Sequence, residues 1–318
     1  MIRIKREYIF LMLIAMVSMT SCVTEKNWQQ TVNTLSQPLE KKYLQYGNHQ
    51  VDTIICPTSD KKIKAYKVWY PSDMKQNPYK KYPVVIFANG TGFEAHKYEY
   101  IFKHMATWGF IAVGNEDGGS GDGRGSSLTL DFILKENDRK GSPLYQHVDT
   151  HNIGMAGHSQ GGAGVFNAIT AFVNSKKFKT AFSQSPTHLQ LLKDVFKCSY
   201  DLSKISIPTM ITAMTDTKGI LHDADDGKGN RICGLNDLIR MRDAIHNGHT
   251  SVPVVFARVT DKNKDHGANL RESQPYLLAW MLYWLTGNQE AGTVFFGPNP
   301  EIKRNSHWQD VSITSPPR

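Results

Sequence analysis

Asn152-Ile153-Gly154-Met155-Ala156-Gly157-His158-Ser159-Gln160-Gly161-Gly162-Ala163-Gly164 is the stretch that decides the fold. Its first five residues read as a short buried strand, and residues 163–172 contain neither proline nor charge and read as a helix. Between them lies G-x-S-x-G. A turn this tight forces its serine into a strained backbone conformation with Oγ clear of the sheet, and glycines two residues to either side let strand and helix approach closely. Ser159 is therefore the candidate nucleophile. Glycine-rich loops produce a bare G-x-S-x-G by chance; the strand before this one and the helix after it make the difference.

Working outward, residues 51–56 and 63–70 alternate as paired strands. Further strands are expected at 83–88, 110–113, 180–183, 209–214 and 252–259, and helices at 94–108, 127–137, 235–246 and 274–285. Alternating strands and helices give an α/β protein with a mostly parallel central sheet and helices on both faces; with the serine turn, this is the α/β-hydrolase fold. The apolar stretch at 276–285 is too short to span a bilayer and is expected against the sheet. The chain divides into a signal segment (1–21), a polar tether (22–50), one hydrolase domain (51–296) and a proline-containing tail (297–318) expected to run extended over the surface.

Arg3, Lys5 and Arg6 precede an apolar run at 9–17 and the small-residue stretch Ser18-Met19-Thr20-Ser21-Cys22. That is an export signal. The cysteine after the small residues resembles the lipobox of bacterial lipoproteins, which would make Cys22 the acylated first residue of an anchored protein facing the periplasm or the cell surface, with plain secretion as the other outcome. The net charge of +8 is scattered and forms no basic stripe, so nucleic-acid binding is not expected. In an oxidising compartment Cys198 and Cys233 could pair, leaving Cys56. No C-x-x-C or H-E-x-x-H spacing suggests zinc. The run from Asp223 to Asn230 has the carboxylates and glycines of a calcium loop but lacks its closing glutamate, and is expected to be solvated.

Acyl transfer on this fold needs serine, then an acid, then histidine, in that chain order. Asp216 follows the strand 209–214 at its carboxyl end, where such sheets place their sites, and is the expected acid; Asp223, Asp225 and Asp226 on the same loop compete with it. Of the five later histidines, His222, His246, His249, His266 and His307, only His266 lies in a turn-forming loop between the strand 252–259 and the last helix. It is the expected base. The oxyanion donors should be the backbone N–H groups of Gln160, at the start of a helix, and of Thr91, in Asn89-Gly90-Thr91-Gly92 after a buried strand. His158, beside the nucleophile, is read as lining the cleft.

Residues 142–150 (Ser-Pro-Leu-Tyr-Gln-His-Val-Asp-Thr) and 153–164 together resemble the bacterial cutinase and poly(ethylene terephthalate) hydrolase family. Met105-Ala106-Thr107-Trp108-Gly109-Phe110, Ile207-Pro208-Thr209-Met210 and Asp265-His266 extend the resemblance over about 82–285. It implies a serine esterase of acyl esters, polyesters or lipids among them, needing no cofactor, with Gly90, Phe93, His158 and Thr187 lining its cleft. The chain departs from that family at Thr91, where an aromatic is usual; at Gln160, where methionine is usual; and at Thr187, where a tryptophan would clamp an aromatic substrate. Phe93 is the partial substitute for that ring, and the acid loop is longer through Arg231. The expectation is a serine carboxylesterase preferring short acyl groups, since no insertion looks like a lid. Two other readings stand beside it: a phospholipid or acetyl-ester hydrolase like the platelet-activating-factor acetylhydrolases, and an inactive binding lipoprotein, against which the ordered triad types speak.

Overall fold

The computed structural model describes residues 37–215, 221–223, 230–260 and 266–314. In chain order its strands are β1 (Val51–Pro57), β2 (Ala65–Pro71), β3 (Tyr82–Ala88), β4 (Ile111–Asn115), β5 (Val148–His158), β6 (Phe178–Gln184), β7 (Thr209–Met214), β8 (Leu221–His222), β9 (Asn230–Arg231), β10 (Val254–Val259) and β11 (Trp308–Ile313). The principal helices are α1 (Pro38–Leu44), α2 (Glu99–Thr107), α3 (Arg124–Asp138), α4 (Gln160–Ala168), α5 (Leu189–Phe196), α6 (Leu235–Gly248), α7 (Gln274–Thr286) and α8 (Glu301–Arg304). The large sheet runs β1-β2-β4-β3-β5-β6-β7-β10-β11, and β8 with β9 forms a separate pair. From β4 to β10 neighbouring strands are parallel; β1, β2 and β11 close the two edges antiparallel. This is the α/β-hydrolase fold.

β3 shows why both faces are covered. Val84, Ile86 and Ala88 join one apolar cluster with Leu130 and Ile133 of α3 and Val165 and Phe166 of α4, while Val85 and Phe87 join another with Phe102 and Met105 of α2 and Leu278 and Met281 of α7. A strand apolar at every position can be buried only between two helical layers. α7 belongs to the core: Trp280 is fully buried and its Nε1 donates to Thr180 Oγ1 at 2.7 Å. It stops at Gly287, whose φ of 73° provides the left-handed cap that side chains resist. No helix among the described residues is long and apolar enough to cross a membrane.

Three expectations change. The stretch 297–314 is not simply an extended tail: α8 is followed by β11, which pairs antiparallel with β10 as a ninth, edge strand, and Ile302 and Trp308 are buried. Alternation in this short segment is masked by its polar outer face. Nor is all of 22–50 a tether. α1 buries Tyr43 and Leu44, and the Glu301 carboxylate accepts from the N–H groups of Leu39 and Glu40 at 3.0 and 2.9 Å, capping α1 from the far end of the chain. Finally, Cys198 carries a free thiol, so the bridge to Cys233 is not formed. The export segment and Cys22 lie outside the described residues.

Candidate active site

Strand β5 delivers Ser159 to the carboxyl edge of the sheet, and α4 leaves from the next residue. Ser159 has φ 59° and ψ −122°, a conformation that an L residue keeps only when its surroundings impose it. Its N–H donates to the Gln184 carbonyl at 2.9 Å, and its own carbonyl accepts from Thr187 at 3.1 Å and Ala163 at 3.2 Å. The glycines act as the turn requires. A Cβ on Gly161 would stand 2.2 Å from the Ala88 carbonyl oxygen, and one on Gly157 would stand 2.6 Å from that of Gly161.

The base expected at position 266 lies beside His158 of this turn. His266 is buried, its ring centroid is 4.6 Å from that of His158, and its carbonyl accepts from His158 Nε2 at 3.3 Å. Its Nδ1 faces Asp223 Oδ1 at 3.2 Å. Because a carboxylate only accepts, Nδ1 carries the proton and Nε2 keeps the basic lone pair.

Among the described residues the carboxylate that meets this ring is Asp223, one of the three competitors of Asp216. Asp216 itself lies outside the described residues, as do Asp225 and Asp226. The physical reason that Asp223 meets the ring is that, directly after β8, it stands at the carboxyl end of β7: the Met214 N–H donates to Asp223 Oδ2 at 3.0 Å. The Ser185 hydroxyl donates to the same oxygen at 2.5 Å. Complete burial by itself would raise the Asp223 pKa; the positive charge the His266 ring takes on when protonated and the hydrogen bonds from His266, Ser185 and Met214 outweigh it and hold the carboxyl below its ordinary range. Asp223 was also the first residue of the suspected calcium loop, but its carboxylate is turned inward; the rest of that loop, 224–229, lies outside the described residues.

The two expected oxyanion donors come together. Thr91 Oγ1 donates to Gln160 Oε1 at 2.9 Å. Around Thr91 every backbone N–H is engaged: Gly90 with the Tyr98 hydroxyl (2.9 Å), Gly92 with the Gly118 carbonyl (2.6 Å) and Phe93 with the Gly90 carbonyl (3.2 Å). The Thr91 N–H has no acceptor among the described residues. The N–H of Gln160, in the first turn of α4, has none within its helix and carries the positive end of the helix dipole.

The other residues expected to line a cleft fall into two groups. Gly90 abuts the nucleophile, since a Cβ there would sit 3.5 Å from Ser159 Cβ, and Phe93 is half-buried edge-on against Tyr98 at 4.7 Å. His158 and Thr187 are instead buried. His158 packs on the base, and burial, followed by the charge of His266, pushes its pKa down to about 3, so it stays neutral. Thr187 offers no flat surface at the position of the family's tryptophan.

Two functional residues escaped the sequence reading. Ser185, at φ 44°, holds Asp223, and buried Asn269 holds Ser185 through an Nδ2 to Oγ bond of 2.7 Å. Gln184-Ser185-Pro186 marked a turn, but nothing in it announced an acid partner. Among the described residues no group of three or more histidine, cysteine, aspartate or glutamate side chains is arranged to hold a metal.

Residues 43–221 match a family model described as PET hydrolase-like. The match takes in the Thr91 loop and the Ser159 turn and ends just before Asp223. No curated protein matches the chain.

Proposed function

Because the chain belongs to the PET hydrolase-like family and is an ester hydrolase of the α/β-hydrolase type, we propose that it is a serine carboxylesterase working through Ser159, His266 and Asp223. His266 Nε2 takes the Ser159 proton as Oγ attacks the ester carbonyl; Asp223 steadies the imidazolium through Nδ1; the N–H groups of Thr91 and Gln160 receive the developing oxyanion. The imidazolium then gives its proton to the departing alcohol. In the second half, His266 deprotonates a water that attacks the acyl-enzyme, and the carboxylic acid leaves as Ser159 regains its proton.

The observation that carries this reading is the backbone of Ser159. A serine at φ 59° in a strand-to-helix turn, with Gly161 packed closely against β3, has no structural advantage over glycine there. The substrate class follows from the cleft. With Thr187 buried and Phe93 half-buried, little aromatic surface is offered for stacking at these two positions among the described residues, which supports aliphatic esters over an aromatic polyester. Export, with Cys22 as a lipid anchor, completes the proposal and rests on the leader sequence alone.

The test is hydrolysis of p-nitrophenyl acetate by the purified protein and by Ser159→Ala. Turnover that disappears in the variant, at an unchanged circular-dichroism spectrum, supports the nucleophile; equal turnover by both removes it.

A further inference from the structure

We infer that the side-chain bond between Thr91 and Gln160 is a positioning device: it ties the two segments that carry the oxyanion donors at one fixed separation. This rests on the esterase reading and deepens it. The donors belong to independent pieces of backbone, the loop after β3 and the first turn of α4, and a hole for one oxygen atom requires both N–H vectors to converge. The bond from Thr91 Oγ1 to Gln160 Oε1, 2.9 Å long, joins those two pieces directly.

Gln160 can serve as the fixed end because its side chain has nowhere to go. It is buried, and the loop between β4 and α3 presses on it: a Cβ on Gly119 would stand 2.6 Å from its Oε1, and one on Gly121 2.9 Å from its Cγ. Bare backbone at 119 and 121 leaves room for one long polar side chain and holds it in one rotamer. The same loop grips the Thr91 segment on both sides, since Gly118 accepts from the Gly92 N–H at 2.6 Å and the Ser120 N–H donates to the Asn89 carbonyl at 3.3 Å. Residues 89 and 92 are therefore anchored, and the peptide between them is steadied by the Thr91 hydroxyl. The tie adds no charge to the hole and leaves the Thr91 N–H unengaged. Its loss would let that N–H swing off the oxyanion, which weakens the transition state and scarcely alters binding of the ester itself.

Steady-state kinetics of the full-length protein on p-nitrophenyl acetate provide the test. Thr91→Val keeps the shape and removes the donor; Gln160→Met keeps the length and removes the acceptor. Each should lower kcat about tenfold, a fraction of the 10²–10³ lost when a donor is deleted, with KM changed less than about twofold. The double variant should be no worse than either single one, Thr91→Ser should recover most of the loss seen in Thr91→Val, and affinity for a trifluoromethyl ketone, whose hemiketal oxygen occupies the hole, should fall with kcat. Losses that multiply to about a hundredfold in the double variant, or a loss confined to KM, would overturn the tie. Should Thr91→Val not fold, Gln160→Met and Thr91→Ser carry the same comparison. A wild-type protein inert to the ester would instead defeat the esterase reading, so the two failures are distinguishable.

Discussion

Ser159 is held by residues within reach of its own turn and by the strand alongside, whereas Asp223 is held almost entirely from elsewhere in the chain. The serine's conformation follows from Gly157 and Gly161, each two residues away, which let α4 begin against the Ala88 carbonyl. The carboxylate is oriented by Met214, Ser185 and His266, at separations of 9, 38 and 43 residues. Local sterics build the first site and tertiary assembly the second. A nucleophile needs one strained residue aimed outward; an orienting acid needs a dry pocket whose donors outbid the cost of burying a charge.

The largest effect should come where both halves meet. His266→Ala removes the base from the turn and the partner from the carboxylate, and kcat on p-nitrophenyl acetate should fall about 10⁶-fold, since triad members act as a unit; a loss under about a hundredfold would mean that another group takes the proton. The turn should respond in stability. Gly161→Ala places a methyl 2.2 Å from backbone that cannot move without shifting β3, and should cost about 3 kcal/mol of urea-unfolding free energy. A variant as stable as the parent would show that the close approach is not required. The acid pocket should respond in titration. Ser185→Ala deletes the 2.5 Å bond that helps hold the Asp223 carboxyl down, so kcat should drop about tenfold and the acidic limb of the rate profile should move to higher pH; an unmoved limb would sever Ser185 from the acid.

The smallest effect is a pH dependence of stability that lies outside this contrast and calibrates it. Burial lowers the pKa of His104 to about 4 and, together with the charge of His266, that of His158 to about 3. The neutral His104 ring donates from Nε2 to the Gln45 carbonyl and accepts at Nδ1 from Gln274. Unfolded, each ring titrates near 6.5. The unfolded chain therefore binds more protons below that value, so the stability is complete above about pH 6.5 and is lost as the pH falls toward 4. His104→Gln should flatten the urea-midpoint curve over that window, and an unchanged slope would contradict the assignment.

These contrasts explain what could be read in advance. The sheet, its helices and the serine turn follow from apolar periodicity and glycine spacing, which act over a few residues; β7 runs over Thr209–Met214 as its pattern suggests. His266 was legible because only one histidine sits in the loop between a strand and the last helix. Thr91 and Gln160 were legible as backbone positions, but not their side-chain bond. Four aspartates on one loop, in contrast, differ in no local respect. That Asp223 turns inward depends on Ser185, the end of β7 and the His266 ring converging in space. β11 and α1 were missed for the same reason: each is stabilised by a part of the chain distant in sequence, α1 by Glu301 and β11 by the edge of β10. Short polar segments carry no record of such partners.

The most direct test of this account compares Asp223→Asn with Asp216→Asn, measuring kcat for p-nitrophenyl acetate and the rate at which a fluorophosphonate labels Ser159. An amide at 223 cannot hold the imidazolium, so turnover should fall about 10⁴-fold and labelling should slow in step, while the change at 216 leaves both within about threefold of the parent. A full loss at 216 with activity retained at 223 would contradict the triad proposed for this protein.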